Sequence, residues 1–379
     1  MNCLGLYIHI PYCLHKCGYC DFNSHNINPE EMGLYVAALL KELDHYAKGP
    51  VQDREVATIF LGGGTPTTLS AALLDDILKA CRTRFQLSPD CEITLEANPA
   101  TVSLDLLQAI RNSGYNRISI GVQSFHEDQL KLLERVHSLE EIHLTVATAR
   151  QAGFDNLSLD LMFALPGQTL EQWRSNLEQA LAKHPEHLST YNLTIEPGTV
   201  FHKLHAQGKL TMPPEDFQLE LYQETIQTLT AAGYQHYEIS NFCKPGRECR
   251  HNLIYWNNGE TLGLGAGASS YLNGTRFKNC NLPSRYIREV MDKGVAVEFE
   301  ERLEPGKAMG ETLMLGLRLL KGMAIDRFEE RFDTSFDKAY GNVADSLLEK
   351  SLITMDNNRI ALSQKGLYLA DSVILEFIE

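Results

Sequence analysis

YIHIPYCLHKCGYCDFNSH, Tyr7–His25, sets Cys13, Cys17 and Cys20 directly after a strand-like apolar run, in a C-x3-C-x2-C loop that also carries Gly18 and the rings of Tyr12 and Tyr19. Thiolates at this spacing can wrap one cuboidal iron–sulfur cluster, because each bonds a different iron. Three protein ligands leave one iron open, and an open position marks a metal that meets substrate, not one that only holds a fold. The residues alone leave two other readings standing. One is a zinc ion completed by a distant His or Cys, with His9, His15 and His25 close in sequence; the other is a chance grouping.

Around that loop, short β-branched and apolar runs alternate with longer amphipathic ones. LYIHI precedes a predicted helix over 31–46, ATIFL one over 70–85, and EITLEA one over 104–112. RISIGV then leads into 126–151, LSLDLMF into 170–183, and LSTYNLTI into 215–232. Strands separated by helices are parallel, and near-continuous apolar strands imply cover on both faces. The fold class is therefore α/β, as an open doubly wound sheet or a barrel. In either, ligands gather at the carboxyl ends of the strands.

The pattern changes near residue 240. A Gly-rich, aromatic segment, 243–278, is followed by a helical stretch near Met309–Leu320 and then by a helix, a hairpin turning at Asp356–Asn358, and a further helix. This last part is similar to a small winged-helix module. The expected division is a barrel domain over 1–235, an α+β extension over 236–300, and a winged-helix-like domain over 301–379.

With 379 residues, 44% of them hydrophobic, the chain can bury a large core. A formal charge of −15 argues against nucleic acid or anionic lipid as partner. No run of about 18 apolar residues predicts a membrane span, and MNCLGLYIHIP enters a strand without a basic segment and an apolar stretch before it, so a cytoplasmic location is expected. Nine cysteines with one tight group do not form a disulfide framework. Cys3, Cys81, Cys91, Cys243, Cys249 and Cys280 read as buried small apolar residues or surface thiols.

Polar residues recur where the apolar runs end. FLGGGTPTTLS closes the second run with Gly62, Gly63 and Gly64, whose backbone N–H groups can approach a ligand; the same glycines suit a tight turn. Glu96, Gln123 and Asp160 follow the third, fourth and fifth runs. One such residue is ordinarily a helix cap; several in register with the cysteine loop suggest a ligand.

C-x3-C-x2-C with an aromatic residue before the last cysteine resembles the radical S-adenosylmethionine (SAM) superfamily. The resemblance implies a partial (β/α)6 barrel and a 4Fe-4S cluster whose open iron chelates the amine and carboxylate of SAM, releasing a 5′-deoxyadenosyl radical on electron transfer. Within the superfamily, Tyr7, Gly63, Gly64, Thr65, Glu96, Gln123, Arg135 and Asp160 fall on positions that bind SAM in enzymes similar to oxygen-independent coproporphyrinogen oxidase. By that likeness Gly63–Thr65 hold the methionyl end, Glu96 and Arg135 its charged groups, and Asp160 the ribose, while Gln123 and Tyr7 complete the pocket.

Coproporphyrinogen dehydrogenases carry a fourth cysteine two residues after the third; here that residue is Phe22. CDFNSH, Cys20–His25, instead resembles the haem chaperone family. So does H-N-x-x-Y-W, formed by His251, Asn252, Tyr255 and Trp256, which is similar to that family's haem-binding signature. Histidine is a common axial ligand of haem iron and large rings cover its apolar face, although a core histidine beside packed aromatics fits the same residues. Lys244, Arg247 and Arg250 lie just upstream and suit anionic propionates. GLGAGA, Gly263–Ala268, reads as a close-approach loop near the adenine of the cofactor. The resemblance implies a chaperone that passes haem to apoproteins, respiratory enzymes among them, with an electron donor serving the cluster. The alternatives are a coproporphyrinogen III dehydrogenase that converts propionates to vinyl groups, and a redox or zinc-holding scaffold.

Overall fold

The computed structural model describes residues 3–378. Six strand–helix units follow the expected order: β1 (Cys3–Ile10), α1 (Pro29–Ala47), β2 (Glu55–Gly63), α2 (Ala71–Arg84), β3 (Gln86–Ala97), α3 (Leu104–Ser113), β4 (Arg117–Gln123), α4 (Leu139–Gln151), β5 (Leu157–Phe163), α5 (Leu170–Leu181), β6 (His187–Asn192) and α6 (Glu215–Ala231). Neighbouring strands β1 to β6 pair in parallel, which makes the partial (β/α)6 barrel.

Strand periodicity decides what each face carries. Leu95, Ile118, Ile120, Leu159 and Leu161 are fully buried on one face. A buried leucine or isoleucine there contributes roughly 1.5–3 kcal/mol. The alternate positions are polar and fall in register across the sheet: Thr94 opposite Arg117, Glu96 opposite Ser119, Ser158 opposite His187 and Asp160 opposite Ser189. The strands are therefore not apolar on both sides, as their composition had implied. One face packs, and the other lines the barrel interior.

The segment expected as a separate extension joins this sheet at both edges. On one side β7 (Gln235–Glu238) and β8 (Asn241–Cys243) add to β6. On the other, β9 (Thr261–Leu264) lies parallel to β1 and is followed by β10 (Ser269–Leu272), β11 (Thr275–Asn279) and β12 (Val297–Arg302), with α8 (Pro283–Lys293) before the last. Between these edges runs α7 (Arg250–Trp256), which packs on β2. Its first N–H groups are capped by a carboxylate: Arg250 and His251 donate to Glu92 at 3.2 and 3.1 Å.

The C-terminal module has its own core of Leu313, Leu317, Phe328, Phe336, Ile360 and Val373. It comprises α9 (Pro305–Gly316), β13 (Met323–Ala324), α10 (Ile325–Phe332), α11 (Phe336–Glu349), β14 (Ile353–Asp356), β15 (Arg359–Leu362), α12 (Gln364–Leu367) and α13 (Ala370–Leu375). The hairpin turns on Asn357 and Asn358, both at positive φ (49° and 61°), where asparagine is tolerated. Among the described residues, no helix is long and apolar enough to cross a membrane.

Candidate functional site

A cavity of about 500 Å³ opens at the carboxyl ends of β1 to β6. Cys13, Cys17 and Cys20 line it together with Gly63, Gly64, Thr65, Glu96, Gln123, Arg135 and Asp160. Ten of the eleven residues expected to hold a cluster and its cofactor thus share one chamber.

Tyr7 is the exception and lies outside the cavity wall. Its hydroxyl donates to His9 Nδ1 (2.9 Å), since His9 Nε2–H donates to the Asn23 carbonyl (2.8 Å) and so fixes the tautomer. Asn23 belongs to the cysteine segment and its side chain ties that segment to Ala266 and Asn281, each at 2.9 Å. Tyr7 therefore braces the loop instead of lining the chamber.

The glycine loop also differs from expectation. Gly63 N–H donates to Glu96 Oε2 (3.1 Å), Gly64 N–H to Ile10 O (2.8 Å) and Thr65 N–H to Tyr12 O (2.8 Å). These donors are spent on the fold, so the loop has no N–H nest for an anion. What stands beside it is the Glu96 carboxyl, the natural partner of an amine.

Arg135 supplies the opposite charge. It donates from Nη2 to Gly121 O at 2.8 Å and reaches Cys17 Sγ from Nη1 at 3.8 Å, while its buried Nε has no acceptor. Gln123 adopts φ 65°, a left-handed conformation that costs on the order of 1–3 kcal/mol in a non-glycine residue and is kept where the surroundings demand it. Asp160 accepts from Ser119 Oγ at 3.1 and 3.2 Å. Burial pushes Glu96 up to about 8, with the nearby Asp160 charge adding to the shift.

The chamber fits a cluster and a zwitterionic cofactor. All three cysteines are free thiols. Burial pushes Cys13 and Cys20 up, so each needs a cationic metal to displace its proton. Among the described residues, no three His, Cys, Asp or Glu side chains converge to hold a single metal ion, and His15 is bonded to Glu134 at 2.9 Å. The zinc reading thus lacks a ligand set, whereas a cluster does not require its ligands to meet at one point. The raised Glu96 and the orphaned Arg135 Nε match an ammonium and a carboxylate respectively.

The haem motif lies elsewhere. His251 is 1% exposed; its Nδ1 bonds Thr58 Oγ1 (2.8 Å), its Nε2 bonds the Tyr255 hydroxyl (3.0 Å), and its ring stacks on Phe60 with centroids 5.2 Å apart. Neither nitrogen is open in this arrangement, and burial brings the ring down to about 3, so it is neutral. Tyr255 must swing away before Nε2 can meet iron. Of the basic residues upstream, Lys244 pairs with Glu186 (3.5 Å) and Arg250 with Asp90 (2.9 Å), so neither is free for a propionate. GLGAGA likewise does not line the chamber. Gly265 N–H donates to Glu42 (2.9 Å) and Ala266 N–H to Tyr35 (2.8 Å), so its close approach is to α1. Ser119 and Tyr191 are among the contributors to the chamber that were not singled out from the sequence; their signal was the period-two polar positions of β4 and β6.

A family model of the radical SAM superfamily matches residues 7–180, and one of the HemN C-terminal domain matches 303–369. The chain is 38% identical over 373 residues to the heme chaperone HemW of Bacillus subtilis (strain 168), covering 98% of each protein. It is 47% identical to the heme chaperone HemW of Escherichia coli (strain K12) over 269 residues, 70% of this chain and 69% of the other. Among solved structures it matches the coproporphyrinogen III oxidase HemN of Escherichia coli, a radical SAM enzyme, with TM-score 0.85 and 28% identity over 99% of this chain and 90% of that one. The chain belongs to the heme chaperone HemW family and is built on the radical SAM fold.

Proposed function

We propose that the protein is a haem chaperone, one that binds haem and delivers it to haem-requiring apoproteins, respiratory enzymes among them, in the cytoplasm. The observation that carries this reading is Phe22. It stands on the chamber rim, 61% exposed, at the position where the dehydrogenases to which the chain is similar carry a further cysteine. Relatives named heme chaperone HemW, matched over nearly the whole chain, support the same choice. Anaerobically purified protein is expected to bind haem stoichiometrically and to leave coproporphyrinogen III unchanged; vinyl products formed with consumption of SAM would establish the dehydrogenase instead.

Cys13, Cys17 and Cys20 would hold a 4Fe-4S cluster, with Glu96 taking the amine of SAM, Arg135 its carboxylate, and Gly63, Gly64, Thr65, Gln123 and Asp160 the remainder. Such a pair supplies one-electron chemistry when bound, fed by an electron donor. The chain's own part is positional. Arg135 places a positive charge beside Cys17, the cysteine loop is tied to β1 through His9, and Phe22 and Leu14 present apolar surface at the rim.

The raised Glu96 gives a pH dependence. Its neutral form prevails below about 8, and a cationic amine binds the ionised form, so binding expels a proton. SAM affinity is expected to rise as pH increases towards about 8, by at most tenfold per unit, and then level off. Glu96→Gln should remove this slope. Calorimetry in buffers of different ionisation enthalpy reads the released proton; a flat profile in the unaltered chain rules out the Glu96 role.

His251→Ala, which takes one bond partner from both Thr58 and Tyr255, is expected to lower unfolding free energy by about 1–3 kcal/mol and to weaken haem retention through α7. Urea unfolding and the Soret band check the two effects. Unchanged stability with unchanged haem affinity would remove His251 from the site.

A further inference from the structure

Where α7 meets the C-terminal module, a cavity of about 140 Å³ is lined by Trp256 of α7 and by Lys321, Arg327, Arg331 and Arg359. None of these four cations has a carboxylate within ion-pair distance among the described residues, although they gather around one cavity. Their hydrogen bonds go to neutral oxygens. Arg327 donates to Asn257 Oδ1 (3.0 Å), Arg331 to Asn258 O (2.8 Å) and the Tyr271 hydroxyl (2.5 Å), and Arg359 to Lys321 O (2.7 Å). Positive charge gathered without counter-charge favours an anion.

Trp256 adds a second signal. Its Nε1–H is buried without an acceptor, and the Arg318 guanidinium lies 4.5 Å from its ring centroid. A volume of about 140 Å³ falls below the roughly 300 Å³ of a site that encloses a whole small molecule, so the pocket suits a carboxylate end of a larger ligand. A second cavity of about 390 Å³ shares Arg327 and Arg331 and continues past Tyr271. Its acids are Glu260, already paired with Arg54, and Glu330.

We propose that this cleft is the subsite for the propionate groups of haem, with Arg327 and Arg331 binding the carboxylates and Trp256 flanking the macrocycle. The proposal rests on the haem-chaperone reading and adds to it a place on the C-terminal module. It also gives the propionates cations without a carboxylate partner, whereas of the three upstream residues Lys244 and Arg250 are paired and only Arg247 is not.

Soret titration of the full-length, anaerobically prepared chain with haem and with haem dimethyl ester tests it. The ester lacks both negative charges, so the comparison needs no variant that must fold. The ester is expected to bind at least about tenfold more weakly, and Arg327→Gln with Arg331→Gln to weaken haem by a similar factor while leaving the ester unaffected. Equal affinity of haem and ester, or a double variant that loses both ligands in equal proportion, overturns the subsite and leaves the chaperone reading intact. Failure of the unaltered chain to bind either ligand overturns both.

Discussion

Replacing Cys17 with alanine is expected to abolish the cluster: iron and sulfide fall to background and the broad visible absorption disappears. Cys17 lies closest to the Arg135 guanidinium, with Sγ 3.8 Å from Nη1, and shares the chamber with Cys13 and Cys20. No other cysteine can substitute, because none of Cys3, Cys81, Cys91, Cys243, Cys249 and Cys280 lines the chamber and all but Cys3 are buried. With two thiolates left, two irons lack protein ligands. Iron and sulfide analysis after anaerobic reconstitution checks this, and a full complement in the variant would move the cluster to other ligands.

Gly63→Ala is expected to be the most damaging single change to the chamber that leaves the cysteines in place. Gly63 has φ 107°, and a Cβ there would run into the His9 imidazole. The backbone penalty is about 1–2 kcal/mol and the displaced ring adds about 1–3 kcal/mol. His9 cannot move freely, since it links Tyr7 to the Asn23 carbonyl of the cysteine segment. The variant should therefore lose stability and SAM affinity together. Gly167→Ala is the control: φ is 76°, but nothing lies within 4 Å of the added carbon, so only the backbone penalty applies. Equal urea midpoints for the two variants would show that the His9 contact is without consequence.

Much of the fold was legible because strand and helix periods differ and the units repeat. The predicted helices 31–46, 70–85 and 104–112 correspond to Pro29–Ala47, Ala71–Arg84 and Leu104–Ser113. One long helix expected over 126–151 is instead two, Glu127–Leu132 and Leu139–Gln151. The break holds Glu134 at positive φ and Arg135, whose side chain enters the chamber. Its signal was present in Ser138 and Glu141, which form a capping box at the second start. Polar positions at strand ends located the chamber, since alternate residues of parallel strands share a face. What remained hidden depended on side-chain partners: the N–H groups of the glycine loop turn inward, and His251 uses both ring nitrogens. Neither follows from residue type: the acceptors of the glycine loop lie on or just after β1 and at Glu96 of β3, and Thr58 of β2 holds His251 Nδ1, all distant in sequence, while only Tyr255 is a local partner. The unpaired arginines of the C-terminal module were equally invisible, as charge balance around a cavity emerges only once the chain has folded.

Haem transfer itself tests the central claim most directly. Chain loaded with one equivalent of haem, mixed anaerobically with a haem-free respiratory apoprotein and then separated by size, should lose its Soret band as the acceptor gains the spectrum of its holo form. Haem that stays on the chain at equilibrium with excess acceptor, or reaches the acceptor no faster than free haem does, would contradict a delivery role.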